Sequence, residues 1–567
     1  MKSKLKSLLV VIFILSVFAS NAQRDAKPIL LQVDLAKKTN EPLKPIWAWL
    51  GYDEPNYTYM KDGKKLLSEW AALSPVPVFV RAHNLLSTGD GTAMLKWGST
   101  NAYTEDANGN PVYYWNIVDS IFDTYIQRGM KPFAQIGFMP EALSINPQSD
   151  STYTDPTRIK QKHYTGWSFP PKSYEKFAEL VFQWVKHCVE RYGKKEVESW
   201  YWELWNEPDL SFYWKGTTEE YIKMYDYAAD AAKRALPTIR IGGPETTNPG
   251  GANAEKFLRT FLDHVVNGKN YATGKKGSPL DFITFHAKGQ PRVINDTVWT
   301  NVGVQLRHID KGFQIVSSFP TLKNLPIIIG ESDPEGCAAC PADIYPNNGY
   351  RNGTLYSSYT AASFPRKYEM AKNRGVNLLG AVTWAFEFEN QPWFRGFRDL
   401  ATNGVDKPVL NVFRMFGLME GNGVPVNSNS AQNYITVRDS SVRKGEPDVN
   451  GMATASNHSA SVMVWNYHDK NDLNVPSTPV TVSIKGIPSQ KILLTHYRID
   501  QEHSNSFTTW KKMGSPQNPT AEQIALLEKA GQLEMIGSPQ WMNIKNGTST
   551  VQFDLPRQGV SLIKMNW

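Results

Sequence analysis

The feature that most limits the fold is a long alternation of short apolar runs and amphipathic stretches, from about Pro45 to Glu420. Eight of the runs read as strands: Ile46–Leu50, Val76–Arg81, Pro132–Phe138, Val197–Trp205, Ile239–Gly242, Asp281–His286, Ile327–Gly330 and Leu378–Trp384. Several are continuously apolar, the pattern of parallel strands covered on both faces. Helical patterns lie between them. The clearest is Ser173–Tyr192, where Phe177, Leu180, Val181, Trp184, Val185, Cys188 and Val189 recur at alternating steps of three and one. Pro170-Pro171 ahead of it and Gly193 behind it are start and stop signals. Further helices are expected at Lys64–Ala72, Ile117–Arg128, Glu219–Leu236, Ala254–Val266, Val304–Val316, Ala361–Arg374 and Val409–Leu418. This repeat predicts a (β/α)8 TIM barrel over residues 45–420. The rival is an open doubly wound sheet, but no G-x-G-x-x-G opens a helix after a strand.

Beyond Gly421-Asn-Gly-Val-Pro425 the texture changes. Residues 421–567 carry alternating, strand-like runs at Tyr434–Arg438, Ser461–Tyr467, Val480–Ile484, Ile492–Ile499, Val551–Leu555 and Val560–Met565. They predict a C-terminal β-sandwich domain. One helix is expected inside it at Thr520–Lys529, with Thr520 and Gln523 suited to a capping box. Ile29–Asp34, in the 23–44 segment, is a candidate extra strand for the sandwich.

Met1–Ala22 reads as a signal peptide: Lys2, Lys4 and Lys6 lead an apolar stretch, Leu8–Phe18, and small residues end at Ala22. The chain is therefore expected to be exported, either periplasmic or secreted. Its removal takes 61 basic and 54 acidic residues (+7) to 58 and 54 (+4). No Lys/Arg-rich run remains, which argues against a nucleic-acid partner, and no second long apolar segment suggests a membrane span in the mature chain. No pattern specifies an oligomeric state. Cys337 and Cys340 form a C-x-x-C with no second pair to complete a four-ligand zinc site. A redox pair or a local disulfide remains, and export favours the disulfide. Cys188 falls at a helical core position.

In a barrel of this kind, reactive groups gather at the C-terminal ends of the strands. Glu207 follows the fourth strand and Glu331 ends the seventh, on opposite sides of the mouth. Paired carboxylates flanking a sugar are the usual means of breaking a glycosidic bond. Asn206 beside Glu207 is suited to a sugar 2-OH, and Pro208 fixes the chain after it. Tyr52, Trp205, Trp384 and Trp393 fall near strand ends, so part of the 12% aromatic content suits sugar contact.

Trp205-Asn-Glu-Pro208 with a second Glu ending the seventh strand resembles clan A of the retaining glycoside hydrolases. Gly51-Tyr-Asp-Glu-Pro-Asn56 and Arg81-Ala-His-Asn84 narrow the likeness to glycoside hydrolase family 39, which includes β-xylosidases and α-L-iduronidases. The likeness covers essentially the whole mature chain. It implies that Glu207 is the general acid/base and Glu331 the nucleophile of a retaining mechanism, with carboxyl groups roughly 5–5.5 Å apart. It implies that His83 and His286 line the terminal-sugar subsite and Trp384 floors it, with Asp53, Glu54, Glu387 and Glu389 as weaker hydroxyl partners. The activity so implied is an exo-glycosidase removing terminal β-D-xylosyl residues from oligosaccharides or polysaccharide fragments. His286-Ala-Lys-Gly289 and Glu331-Ser-Asp-Pro334 resemble the iduronidase branch instead. There, Lys288 or Arg395 would meet a uronic-acid carboxylate. A third possibility, of another class, is a non-catalytic carbohydrate-binding protein. None of these readings calls for a metal or other cofactor.

Overall fold

The computed structural model describes residues 28–147, 152–157, 160–162, 166–443 and 445–567. The stretch Met1–Ala22 lies outside the described residues. Among those described, no helix is long and apolar enough to cross a membrane.

Nine strand segments form one parallel sheet whose ends meet. In chain order they are Trp49–Tyr52, Phe79–Ala82, Lys131–Ile136, Tyr201–Leu204, Ile241–Thr246, Phe282–Phe285, Pro326–Ile329, Asn377–Ala381 and Thr383–Trp384. The last two are halves of one eighth strand, interrupted at Val382. The first half pairs with Pro326–Ile329, and the second pairs Thr383 with Leu50 and Trp384 with Gly51. That second pairing closes the (β/α)8 barrel. Gly51 is required there: a Cβ would lie 2.4 Å from the Trp384 ring.

Each strand is followed by a helix that covers it. Tyr174–Tyr192 starts where the Ser173 side chain accepts from Lys176 N and stops at Gly193 (φ +85°), and it buries Phe177, Leu180, Val181, Trp184, Val185 and Cys188. Thr217 and Glu220 close a capping box on Thr218–Ala235. The helix Thr354–Arg374 begins seven residues before the expected Ala361. Its first half lacks an amphipathic stripe because it is buried nearly all round, between the barrel and the C-terminal domain. Ser358 donates to Gln558 and Arg366 pairs with Asp448 at 2.8 Å.

The C-terminal part is a β-sandwich. One sheet orders Val426–Ser428, Ile29–Asp34, Thr478–Lys485 and Thr548–Leu555. The other is built around Asp448–Ala455, Ser459–Tyr467, Val560–Asn566 and Lys491–Ile499. Ile29–Asp34 runs parallel to Thr478–Lys485, Ile29 opposite Val480. The layer between the sheets holds Leu31, Val33, Val449, Val462, Val464, Val482, Ile484, Ile563 and Met565. Tyr434–Arg438, expected as a strand, lies instead in a helix, Tyr434–Ser440, capped by the Asn433 side chain. Its alternation was not a burial pattern, for only Val437 is buried there. Asp448–Ala455 carries no strand pattern in its sequence because Asn450 and Gly451 break its apolar run. Thr520 and Gln523 form a capping box on Ala521–Gly531. Cys337 and Cys340 are disulfide-bonded, and Cys188 is a buried free thiol.

Candidate active site

The strand ladders run on into the groups at the mouth. Glu207 N donates to Glu245 O at 2.8 Å, His286 N to Thr246 O at 2.8 Å, and Ala287 N to Glu331 O at 2.9 Å. Trp205, Glu207 and Glu245 sit at φ +71°, +44° and +56°. This left-handed backbone is costly for residues with a Cβ and is tolerated where the surroundings fix it. The side chains are thus held by the barrel frame rather than by free loops.

Glu207 and Glu331 face each other, both buried. Lys288 Nζ lies 2.7 Å from Glu207 Oε1 and 2.8 Å from Glu331 Oε2. His286 presents Nδ1 to Glu207 Oε1 at 2.7 Å and Nε2 to Glu245 Oε1 at 2.8 Å, with Glu331 Oε1 at 3.6 Å. Burial pushes both carboxyls up. For Glu207, Lys288 and the His286 hydrogen bond outweigh burial and hold it well below the usual range. For Glu331, His286 and Lys288 together outweigh burial and the repulsion of Glu207, and its pKa is lowered too. Burial disfavours the Lys288 ammonium, but the two carboxylates overcome it and raise its pKa.

A second layer supports the first. Arg81 contacts Glu203 through Nε, Asn206 Oδ1 at 3.1 Å and Glu331 Oε1 at 3.5 Å. Arg81 Nη1 donates to His83 Nε2 at 2.9 Å, and His83 Nδ1 donates to Asp53 Oδ1 at 2.6 Å. That arrangement uses a neutral His83, whose pKa burial and the Arg81 charge push down to about 4 against the pull of Asp53. Asp53 also holds Lys96 Nζ at 2.7 Å. Asn206 has its oxygen engaged by Arg81 while its Nδ2 is buried without a partner, so the amide orientation is set. Trp384 is only 1% exposed. Arg81 stands 4.9 Å over its ring and His83 at 4.4 Å, so the indole lies beneath the charged layer.

The expected residues do not all converge. Asp53, His83, Asn206, Glu207, His286, Lys288 and Glu331 belong to one connected network. Glu389 points elsewhere and accepts from the Asp62 N–H at 3.0 Å, at the start of helix Lys61–Leu73. Arg395 pairs with Asp343 at 3.1 Å near the surface. Glu54 accepts from Lys96 N, and Glu387 from Gly404 N. Of the aromatic residues, Trp393 packs with Phe394, Val405, Trp510 and Leu527, and Tyr52 stacks on Phe386 in the core. Arg81, Glu203, Glu245 and Lys96 carry much of the network and were given no role from sequence. Charged residues inside otherwise apolar strands, and Glu245 closing Gly242-Gly-Pro-Glu245, were the available signals. The loop after Glu331 is pinned by Arg351, which donates to Glu335, Cys337 O and Cys340 O, and by Arg398 on Glu335.

Among the described residues, Glu207, His286 and Glu331 are the group with ligand atoms close enough for a metal ion, all within 4.8 Å of one another. Lys288 occupies the place a cation would take between the two carboxylates. What remains is a pair of buried carboxylates across a barrel mouth, the equipment of a glycoside hydrolase.

Comparison with known proteins agrees. The family model for Glycosyl hydrolases family 39 matches residues 30–541, and the chain belongs to that family. It is 28% identical over 452 residues to a beta-xylosidase of Caldicellulosiruptor saccharolyticus, covering 77% of this chain and 80% of the relative. It is 24% identical over 387 residues to an alpha-L-iduronidase of Mus musculus, covering 61% of this chain and 56% of the relative. The fold matches that of a monomeric beta-xylosidase from Caulobacter crescentus CB15, with a TM-score of 0.74 at 19% identity over 95% of this chain and 99% of the other. As a member of this family the chain is a hydrolase of carbohydrate, not a mere binder.

Proposed function

We propose that this enzyme is a retaining exo-glycosidase that releases terminal β-D-xylosyl residues from polysaccharide-derived oligosaccharides. The observation that carries the mechanism is the spacing of Glu207 and Glu331, with carboxylate oxygens within 4.8 Å. A retaining pair sits roughly 5–5.5 Å apart, while an inverting pair needs about 6.5–9.5 Å to admit a water. Glu331, kept ionised by Lys288, His286 and Arg81, attacks the anomeric carbon and forms a glycosyl-enzyme. Glu207 protonates the leaving oxygen and then activates the water that releases the sugar. The free Nδ2 of Asn206 holds the 2-OH. The β-xylosidase relatives support the choice of sugar.

Lys288 favours a second reading, a uronide as substrate. Its buried ammonium would donate to a carboxylate at C5, where xylose carries none, and iduronidases are among the relatives. Comparing kcat/KM on aryl β-xyloside with that on aryl iduronide and glucuronide decides between the two. Proton NMR of the first product decides the stereochemistry: retention is expected, and inversion would refute the mechanism.

The start of the chain and the Cys337–Cys340 disulfide support export, to the periplasm or beyond. N-terminal sequencing of protein recovered outside the cytoplasm should begin just after Ala22; a start at Met1 would count against it.

A further inference from the structure

The resting site raises a problem for its own chemistry. The general acid must carry a proton when the bond breaks, yet Glu207 accepts hydrogen bonds from two cations, Lys288 and the His286 ring. Both neighbours of that ring are carboxylate oxygens, so His286 satisfies both only with a proton on each nitrogen. The charged groups facing it are Glu207 from beyond the fourth strand, Glu245 from the fifth, Glu331 from the seventh and Lys288 from its own loop. Arg81 of the second strand stands 3.5 Å from Glu245. Burial and the Lys288 charge push the pKa of His286 down, but Glu331, Glu245 and the hydrogen bond to Glu207 outweigh them and raise it.

Glu245 is built into this position. Its backbone N–H donates to Thr284 Oγ1 at 3.1 Å, and its side chain is fully buried. A Cβ on Gly330 would lie 1.3 Å from its Oε1, so the glycine before Glu331 leaves the space this carboxylate fills.

We propose that Glu245 is a positioning residue that holds His286 with a proton on Nε2, so that Nδ1 exchanges a single proton with Glu207 Oε1 and arms the acid. In this step the Nδ1–H bond breaks, its electron pair stays on nitrogen, and an O–H bond forms on Glu207. An imidazolium and a carboxylate become a neutral imidazole and a carboxylic acid, and the charge of the buried cluster is unchanged. The Nε2–H still donates to Glu245. The exchange accounts for a general acid that rests ionised without being short of a proton. It rests on the assignment of Glu207 as the acid.

The pair then loses its last proton as one unit, with one apparent pKa. That pKa sets the basic limb of kcat/KM for a substrate with a poor leaving group. Removing the anion behind His286 weakens the pair's hold on that proton, so the limb moves to lower pH. The test is the pH profile of Glu245→Gln with two substrates of the same sugar, one with a poor and one with an activated leaving group. The basic limb for the poor leaving group should fall by about one pH unit, while the activated substrate, which needs no acid, keeps its profile. A wild-type limb overturns the proposal. So does an equal loss at every pH on both substrates, the mark of a merely structural role. If Glu245→Gln does not fold, His286→Asn carries the test: the limb must again move down, and an unmoved limb overturns the proposal. Glu207→Gln separates this from the assignment beneath it. If that variant loses both substrates equally, it is the acid assignment that fails.

Discussion

The barrel mouth and the sandwich core are buried to the same degree and filled with opposite material. Between the sandwich sheets, Val462, Val464, Val482, Ile484 and Ile563 are completely covered, and the layer is mostly apolar, with a buried Asn466 bonding across it to Thr478 and Leu555 O. In the mouth, Arg81, Glu203, Glu245 and His286 are just as completely covered. Burying apolar surface stabilises a fold by roughly 25 cal/mol per Å². Burying charges generally does not, even when they are well paired. Apolar layers such as the sandwich core and the barrel's own interior therefore stabilise the fold, while the mouth keeps a costly arrangement of buried charge.

Substitutions can break that contrast, and the largest effect on turnover belongs to the mouth. Glu331→Ala should lower kcat/KM by at least about a thousandfold with little change in Tm; substantial residual activity would mean that the nucleophile lies elsewhere. Glu207→Gln should cost about 10²–10⁴ on substrates with poor leaving groups and far less on activated ones, read as a steepened dependence on leaving-group pKa. Gly330→Ala should be milder: the new Cβ displaces the Glu245 carboxylate, and kcat/KM should drop about tenfold in protein that still folds. At the other end, Ile563→Ala should lower unfolding free energy by about 2–4 kcal/mol yet leave kcat/KM of the folded enzyme within twofold of wild type (~2-fold at most). Denaturant melts paired with kinetics would show whether the two regions separate this cleanly. The charges also predict a pH signature. Because Lys288 and His286 depress Glu331, the acid limb of kcat/KM should lie below the ordinary glutamate value of about 4.3.

The same contrast explains what could be read before the structure. Periodicity reports burial of apolar side chains, so all eight barrel strands could be placed from the sequence. It failed where burial and pattern part company: Thr354–Ala361 is covered on every side and shows no stripe, and Tyr434–Arg438 alternates without being buried. In the mouth, the rule that reactive groups end strands pointed to Asp53, His83, Glu207, His286 and Glu331. It reaches Arg81 only as part of Arg81-Ala-His-Asn84, with no role of its own, and Glu203 not at all; the two are opposite charges on separate strands, 122 residues apart, and have meaning only as a pair. Nor does it say which way a loop turns. Glu389 and Arg395 follow the eighth strand, which ends at Trp384, yet the chain folds back and gives them Asp62 and Asp343 as partners.

One consequence follows from the strand Ile29–Asp34. It stands ahead of the whole barrel in sequence, yet its partners are Val426–Ser428 and Thr478–Lys485. The sandwich is thus fastened to the barrel by two covalent connections, one at each end of it. A barrel released by cutting after residue 420 would keep this strand with both edges bare, and the sandwich left behind would lack an interior strand from one sheet. In assembly the early strand must wait until about 450 further residues have been added before its parallel partner Thr478–Lys485 is complete. The two domains are distinct in architecture but not in completion: neither can be finished, or taken away, without the other.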